Sequence, residues 1–158
     1  MTQNETAPAL SPGPPDGKAM QDLDRKSRDT FRSWARERIR QSDTDQQGHV
    51  NNSIIATYFE IGRIDLFGEQ RDEVTPPGVS IVVAKSTIEF LKELRYPGTI
   101  EIGTRLVRVG RSSFSVIQGL FQGTTCYAVA EATCVFIDQA TRRPYAVPDN
   151  LRAKLLGL

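Results

Sequence analysis

The chain has 158 residues, 39% of them hydrophobic and 25% charged, with a formal net charge of +1. That is the composition of one globular domain with a real core. A charge balance this even argues against nucleic-acid or membrane-surface binding as the main task, and no stretch is apolar for long enough to span a bilayer.

Residues 1–25 read as a flexible tail, and residues 26–158 as the domain. Four of the nine prolines, Pro8, Pro12, Pro14 and Pro15, fall in that tail among Gly13, Gly17 and many polar residues. Such a segment cannot bury enough apolar area to offset its ordering entropy. It also lacks the basic-then-apolar pattern of a secretory signal, so the cytoplasm is the expected location. Phe31 to Arg40 mixes arginine with Phe31, Trp34, Ala35 and Ile39. It suits an edge or first strand, or a short helix. Gln41 to Asn52 is a loop by composition.

Ser53 to Phe67 reads as a helix with Asn51 or Asn52 as its cap. Its polar residues Ser53, Thr57, Glu60 and Arg63 form one narrow stripe, and apolar residues occupy most of the circumference. A helix of that kind is expected to be buried nearly all round, with Gly68 as its stop. Strands follow at Val79 to Leu91, Thr99 to Val109, Ser113 to Phe121 and Thr125 to Ile137. Turns are marked by Pro97-Gly98, Gly110-Arg111 and Gln122-Gly123-Thr124. The turns are short, so neighbours should be antiparallel. In the last strand Ala128, Ala130 and Ala132, flanked by Cys126 and Cys134, form a row of small residues that would let a helix approach closely. The two cysteines should share a face, too far apart to bond, as small buried hydrophobes. A reducing compartment is then the expected setting. Pro148-Asp149-Asn150 should start a short terminal helix. One long helix against a curved antiparallel sheet of about five strands is the economical arrangement, an α+β domain.

The loop before the long helix holds Asp43, Asp45 and His49. A helix start has free N–H groups and a positive dipole end, suited to polarising a carbonyl and holding an oxyanion. A carboxylate beside it can serve as general base or nucleophile. Taken singly, each of these residues also fits a cap, a turn former or a structural histidine.

The run Asp43-Thr44-Asp45-Gln46-Gln47-Gly48-His49-Val50-Asn51-Asn52, followed by Tyr58-Phe59-Glu60 and Arg63, resembles the hot-dog-fold thioesterases of the 4-hydroxybenzoyl-CoA thioesterase type. Val109-Gly110-Arg111-Ser112-Ser113 and Thr141-Arg142-Arg143-Pro144 look like the same family. The resemblance implies a hot-dog fold and hydrolysis of an acyl-coenzyme A to a carboxylic acid and free coenzyme A. It implies Asp45 as the catalytic carboxylate and a backbone N–H near Ile55 as the oxyanion donor. Many members carry tyrosine where this chain has Ile55. His49 and Asn51 would line the site or hold its loop, with His49 a candidate donor to the thioester. Arg111, Ser112 and Ser113 would bind coenzyme A phosphates by charge and backbone N–H groups, with Arg142 and Arg143 as further candidates. No metal is expected, and no cofactor apart from the coenzyme A of the substrate. A homodimer or homotetramer with sites at the interface is implied, since pairing would also cover an open strand edge.

Glu60 is a rival carboxylate, against a salt bridge with Arg63 or a contact across a dimer interface. Three other functions share the fold. An acyl-carrier-protein thioesterase would dock an acidic protein. A hydratase or dehydratase would need a catalytic histidine, for which His49 is the sole candidate. A non-catalytic acyl-CoA sensor would normally bring a DNA-binding module.

Overall fold

The computed structural model describes residues 23–68 and 71–157. Most of the expected tail therefore lies outside the described residues. Leu23 already packs on the domain, and Arg25 pairs with Glu89 at 3.0 Å.

Five strands, β1 (Ser33–Ile39), β2 (Val79–Phe90), β3 (Gly98–Val109), β4 (Ser113–Gln122) and β5 (Thr125–Asp138), form one sheet. Their order is β1-β3-β4-β5-β2, and every pairing is antiparallel. The segment read as edge strand or helix is an edge strand. Short turns join β3 to β4 and β4 to β5, as expected. The link from β2 to β3 behaves differently, because β2 pairs with β5 and leaves β3 to β1 and β4. Residues 91–97 are long enough to cross between sheet positions, and their backbone bonds elsewhere. Leu91 and Lys92 N–H groups donate to Tyr127 O, and Leu94 O accepts from Val50 N at 2.8 Å.

The long helix α1 (Asn52–Asp65) lies across β1, β3 and β4, with Asn51 as its cap. Its burial is one-sided rather than all-round. Ile55, Tyr58, Phe59 and Gly62 are buried, whereas Ile64 is 46% exposed. A helix on one sheet layer covers only its sheet-facing stripe, and the remaining apolar stripe has no second layer among the described residues. The close approach comes at Gly62 rather than at the alanine row of β5. A Cβ there would lie 2.6 Å from Ile102 and 2.9 Å from Thr104 Oγ1.

The cysteines do not share a face. The β4–β5 register shifts between Leu120↔Ala128 and Phe121↔Cys126, and a one-residue shift turns a side chain to the other side. Cys134 packs on the helix side with Val116 and Phe136, while Cys126 joins Phe31, Ile117 and Phe121 on the outer side. A short helix α2 (Arg71–Val74) and the terminal helix α3 (Asp149–Leu156) close one end of the core through Val74, Leu151 and Leu155. No described helix is long and apolar enough to cross a membrane.

Candidate active site

The loop from Arg40 to Asn52 is a folded element. Gln41–Asp43 forms a 3-10 turn, and Arg40 N donates to Asp43 Oδ2 at 2.7 Å. Thr44 then bridges Val50, and Asp45 N donates to His49 O at 2.8 Å, making a tight hairpin. Gly48 closes it at φ +77°, in the left-handed region that favours glycine.

This folding separates the two aspartates. Asp43 is 8% exposed, and its Oδ2 also accepts from the Tyr58 hydroxyl at 2.7 Å. It fastens the loop to the helix from a buried position. Asp45 is exposed, and its Oδ1 accepts from the N–H of Gln47 at 2.8 Å and of His49 at 3.2 Å. Its second oxygen makes no hydrogen bond among the described residues. The carboxylate is thus held by one oxygen, and Asp45 stands on the wall of a cleft.

That cleft, of about 380 Å³, is walled by Asp45, Gln47, His49, Asn52 and Ile55 on one side and Phe90 to Leu94 on the other. His49 lines it, but its Nε2 lies 2.9 Å from Glu93 Oε2 and contacts the Arg95 guanidinium. Both neighbours compete for the same ring nitrogen, which ties the imidazole to the wall. Asn51 stands apart from the cleft. Its Oδ1 accepts from Ser53 N and Ser53 Oγ, both at 2.9 Å, which is the work of a helix cap. Ile55 reaches the cleft, yet its N–H donates to Asn51 O at 3.1 Å as an ordinary helical bond. The N–H of Asn52, at the first helical position, has no partner among the described residues.

A second, smaller cleft of about 150 Å³ runs along the middle of α1, lined by Glu60, Arg63, Ile64 and Phe67 against Ile81, Val83, Phe114 and Cys134. Arg63 does not pair with Glu60 there. Its Nη1 donates to Gln118 Oε1 at 3.0 Å, and fully buried Gln118 donates in turn to Phe59 O and Thr104 Oγ1. Burial lowers the Arg63 pKa below the ordinary arginine value, opposed by the charges of Cys134 and Glu60.

Arg111, Ser112 and Ser113 lie at the far end of the sheet. Ser112 O accepts from Phe136 N, and Arg111 O accepts from Val147 N. Arg142 and Arg143 are close by, since Asp138 N donates to Arg143 O. Leu91 of the Asp45 cleft sits against Tyr127 and Ser112 against Phe136, so most of β5 separates the two groups, roughly 30 Å at the usual strand rise. One copy does not bring them together. Among the described residues no group of His, Cys, Asp and Glu is placed to hold a metal ion.

Sequence reasoning missed Glu93, Arg95 and Asn52 as site residues. A signal for Asp43 was present: a buried tyrosine needs a hydroxyl partner, and Tyr58 lies on the apolar face of its helix.

A family model described as the thioesterase-like superfamily matches residues 39–155. The acyl-acyl carrier protein thioesterase ATL2, chloroplastic, of Arabidopsis thaliana is 30% identical over 121 residues, 73% of this chain and 64% of that protein. Its ATL3 counterpart is 26% identical over 124 residues, 75% of this chain and 65% of the relative. The chain thus spans somewhat less than two thirds of the length of these relatives. Among solved structures, the PA2801 protein of Pseudomonas aeruginosa superposes with TM-score 0.71 at 26% identity, covering 79% of this chain and 98% of that one. A thioesterase from Thermus thermophilus, complexed with coenzyme A and Zn, superposes with TM-score 0.69 at 27% identity, covering 79% of this chain and 98% of that one.

Proposed function

This chain belongs to the thioesterase-like superfamily, and we propose that it hydrolyses an acyl-coenzyme A to a carboxylic acid and free coenzyme A. The observation that carries this reading is that one cleft is lined both by an exposed, one-side-anchored Asp45 and by Asn52, whose N–H at the start of α1 has no partner among the described residues. The thioester carbonyl oxygen sits at the helix start, where Asn52 N–H and the positive dipole end stabilise the oxyanion. The donor expected near Ile55 moves to Asn52 because the Ile55 N–H is already bonded. The free oxygen of Asp45 takes a proton from the attacking water, or attacks the carbonyl itself. The C–S bond then breaks and the thiolate leaves, taking up the proton held by Asp45 where water attacks; where Asp45 attacks, the resulting mixed anhydride is hydrolysed by water to the acid and the free carboxylate. The protein needs no metal or other cofactor for this route.

The phosphate end of coenzyme A meets the turn at Arg111–Ser113 of a second copy. β2 is an unpaired edge of 12 residues. Antiparallel pairing of two β2 edges sets the Phe90 end of one copy beside the Val79 end of the other. That brings the Asp45 cleft of one copy toward the Arg111 turn of its mate, and it covers the open edge. A homodimer is therefore the working assembly.

The names of the curated relatives favour a second reading, in which the acyl group arrives on a carrier protein. Presenting one acyl group on coenzyme A and on acyl carrier protein separates the two by their kcat/KM values. Thiol release across an acyl-CoA panel, with Asp45→Asn alongside, tests the main reading. Asparagine keeps an Oδ1 for the Gln47 and His49 amides, so the loop is retained while turnover falls by about 10²–10⁴-fold. An unaffected variant, or a wild type inactive on every thioester, overturns the reading. Glu60→Gln in the same assay should leave turnover within a few-fold.

A further inference from the structure

The smaller cleft along the middle of α1 supplies no group to the chemistry at Asp45, and its charge is set from inside the core. Gln118 is fully buried, and an amide there is costly unless each polar atom is bonded. Its Nε2 donates twice, to Phe59 O at 2.9 Å and to Thr104 Oγ1 at 3.0 Å. Both amide hydrogens are then used, which fixes the orientation and leaves Oε1 to accept from Arg63 Nη1 at 3.0 Å. The guanidinium is thus held at the cleft by one neutral oxygen. Its Nε and Nη2 make no hydrogen bond among the described residues, and neither is sealed from solvent. No carboxylate of the described residues forms an ion pair with it.

Three charged side chains line this cleft: Arg63, Arg71 and Glu60. Two are cations and one is an anion. Arg71 and Glu60 are exposed, whereas Arg63 is half-buried, so the deeper charge is positive. Burial disfavours that charge, and an anion brought against it restores the balance. The remaining walls are apolar. Ile64 and Val83 leave hydrocarbon uncovered at 46% and 47% exposure, and Phe67 packs edge-on against Phe114 beside them. The volume of about 150 Å³ holds on the order of five water-sized groups.

We propose that this cleft binds a carboxylate carried on a short apolar chain. The Nε and Nη2 edge of Arg63 is the fork that meets a carboxylate with two parallel bonds. The chain then lies against Phe67, Ile81 and Val83. That chemistry has two sources. One is an acyl group whose far end is itself a carboxylate. Under the β2 pairing proposed above, Ile81 and Val83 at the Val79 end come beside the mate's Asp45 cleft, within reach of the far end of a bound acyl group. This source rests on the thioesterase reading. The other is a free carboxylic acid, which binds whether or not the chain is a hydrolase.

The first arm of the test titrates the full-length, isotope-labelled protein with pentanoate and, as the neutral control, pentan-1-ol, followed by NMR. Pentanoate should shift the Arg63 Nε–H and Gln118 side-chain amide signals, and pentan-1-ol should not. Arg63→Gln keeps a donor for Gln118 Oε1 and should weaken pentanoate by about tenfold or more. If that variant fails to fold, Ile64→Glu decides, because it sets a rival carboxylate at an exposed wall position and should weaken pentanoate as much. The second arm measures kcat/KM for two coenzyme A thioesters of equal chain length, one ending in methyl and one in carboxylate. A preference for the carboxylate that Arg63→Gln removes assigns the cleft to the far end of the acyl group. Pentanoate binding without that preference assigns it to a free acid. The proposal is overturned if neither arm shows a carboxylate effect that depends on the cleft, or if pentan-1-ol binds as well as pentanoate and no preference appears. A wild type inactive on both thioesters counts against the hydrolase reading, and the pentanoate titration then decides this one alone.

Discussion

The Tyr58 hydroxyl donates to Asp43 Oδ2 at 2.7 Å, from the buried face of α1 into the loop that precedes it. The bond crosses 15 residues of sequence and joins the cleft loop to the helix whose first turn lines the Asp45 cleft. Tyr58→Phe removes the donor and leaves a buried carboxylate oxygen with only Arg40 N. The expected loss is about 1–3 kcal/mol of stability, read as a lowered midpoint in urea or thermal unfolding. Turnover of the folded fraction should fall far less than in Asp45→Asn, since Asp43 does not reach the cleft.

The same bond sets a response to alkaline pH. Burial first, then the hydrogen bond and charge of Asp43, push the Tyr58 pKa well above the ordinary tyrosine value. A group whose folded pKa is raised contributes stability that is complete below its unfolded pKa, about 10 for tyrosine, and is lost as pH rises beyond it. Unfolding free energy of the wild type should therefore decline above about pH 10. The difference between wild type and Tyr58→Phe should shrink over that range in paired urea titrations.

Asn51 is expected to act on stability and on the helix start, not on substrate. Its side chain accepts from Ser53 N and Oγ. Asn51→Ala should cost about 1 kcal/mol, and Asn51→Asp should recover most of it. Thermal melts of the three proteins check the order. An Asn51→Asp variant with normal stability and normal turnover would assign the side chain to capping alone.

Gly62 sets the distance between α1 and the sheet. A methyl there meets Ile102 at 2.6 Å, Gln118 Nε2 at 2.8 Å and Thr104 Oγ1 at 2.9 Å. Gly62→Ala improves helix propensity by about 1 kcal/mol, but the clash involves β-sheet side chains fixed in a packed core. Overpacking should win, for a net loss of about 1–2 kcal/mol. Lifting the helix also displaces its start from Asp45, so kcat should fall while KM changes little. Steady-state kinetics on the folded protein measure that split.

Much of this organisation is legible in the residues. The helix from Asn52, the strands to either side of Gly110 and Gly123, and the loop that feeds the helix all follow from periodicity, turn residues and capping chemistry, which act between near neighbours. The choice of Asp45 over Asp43 comes from family resemblance, and the hydrogen bonds of Asp43 supply a physical reason for it. What the sequence did not disclose depends on contacts between distant segments. The pairing of β2 with β5 rather than β3, the turning of Cys126 to the outer face and the bond from Arg63 to Gln118 each hinge on register or on packing across the sheet. A local pattern carries no information about which strand edge is still open when β2 arrives.

The polar loop ahead of α1, with Asp43, Asp45 and His49 in it, was determined by sequence alone. Which aspartate is buried and which helix N–H is left without a partner were decided only by tertiary structure. Those outcomes are set by burial and by hydrogen-bond competition, and both exist only once the helix, the loop and the sheet are in contact.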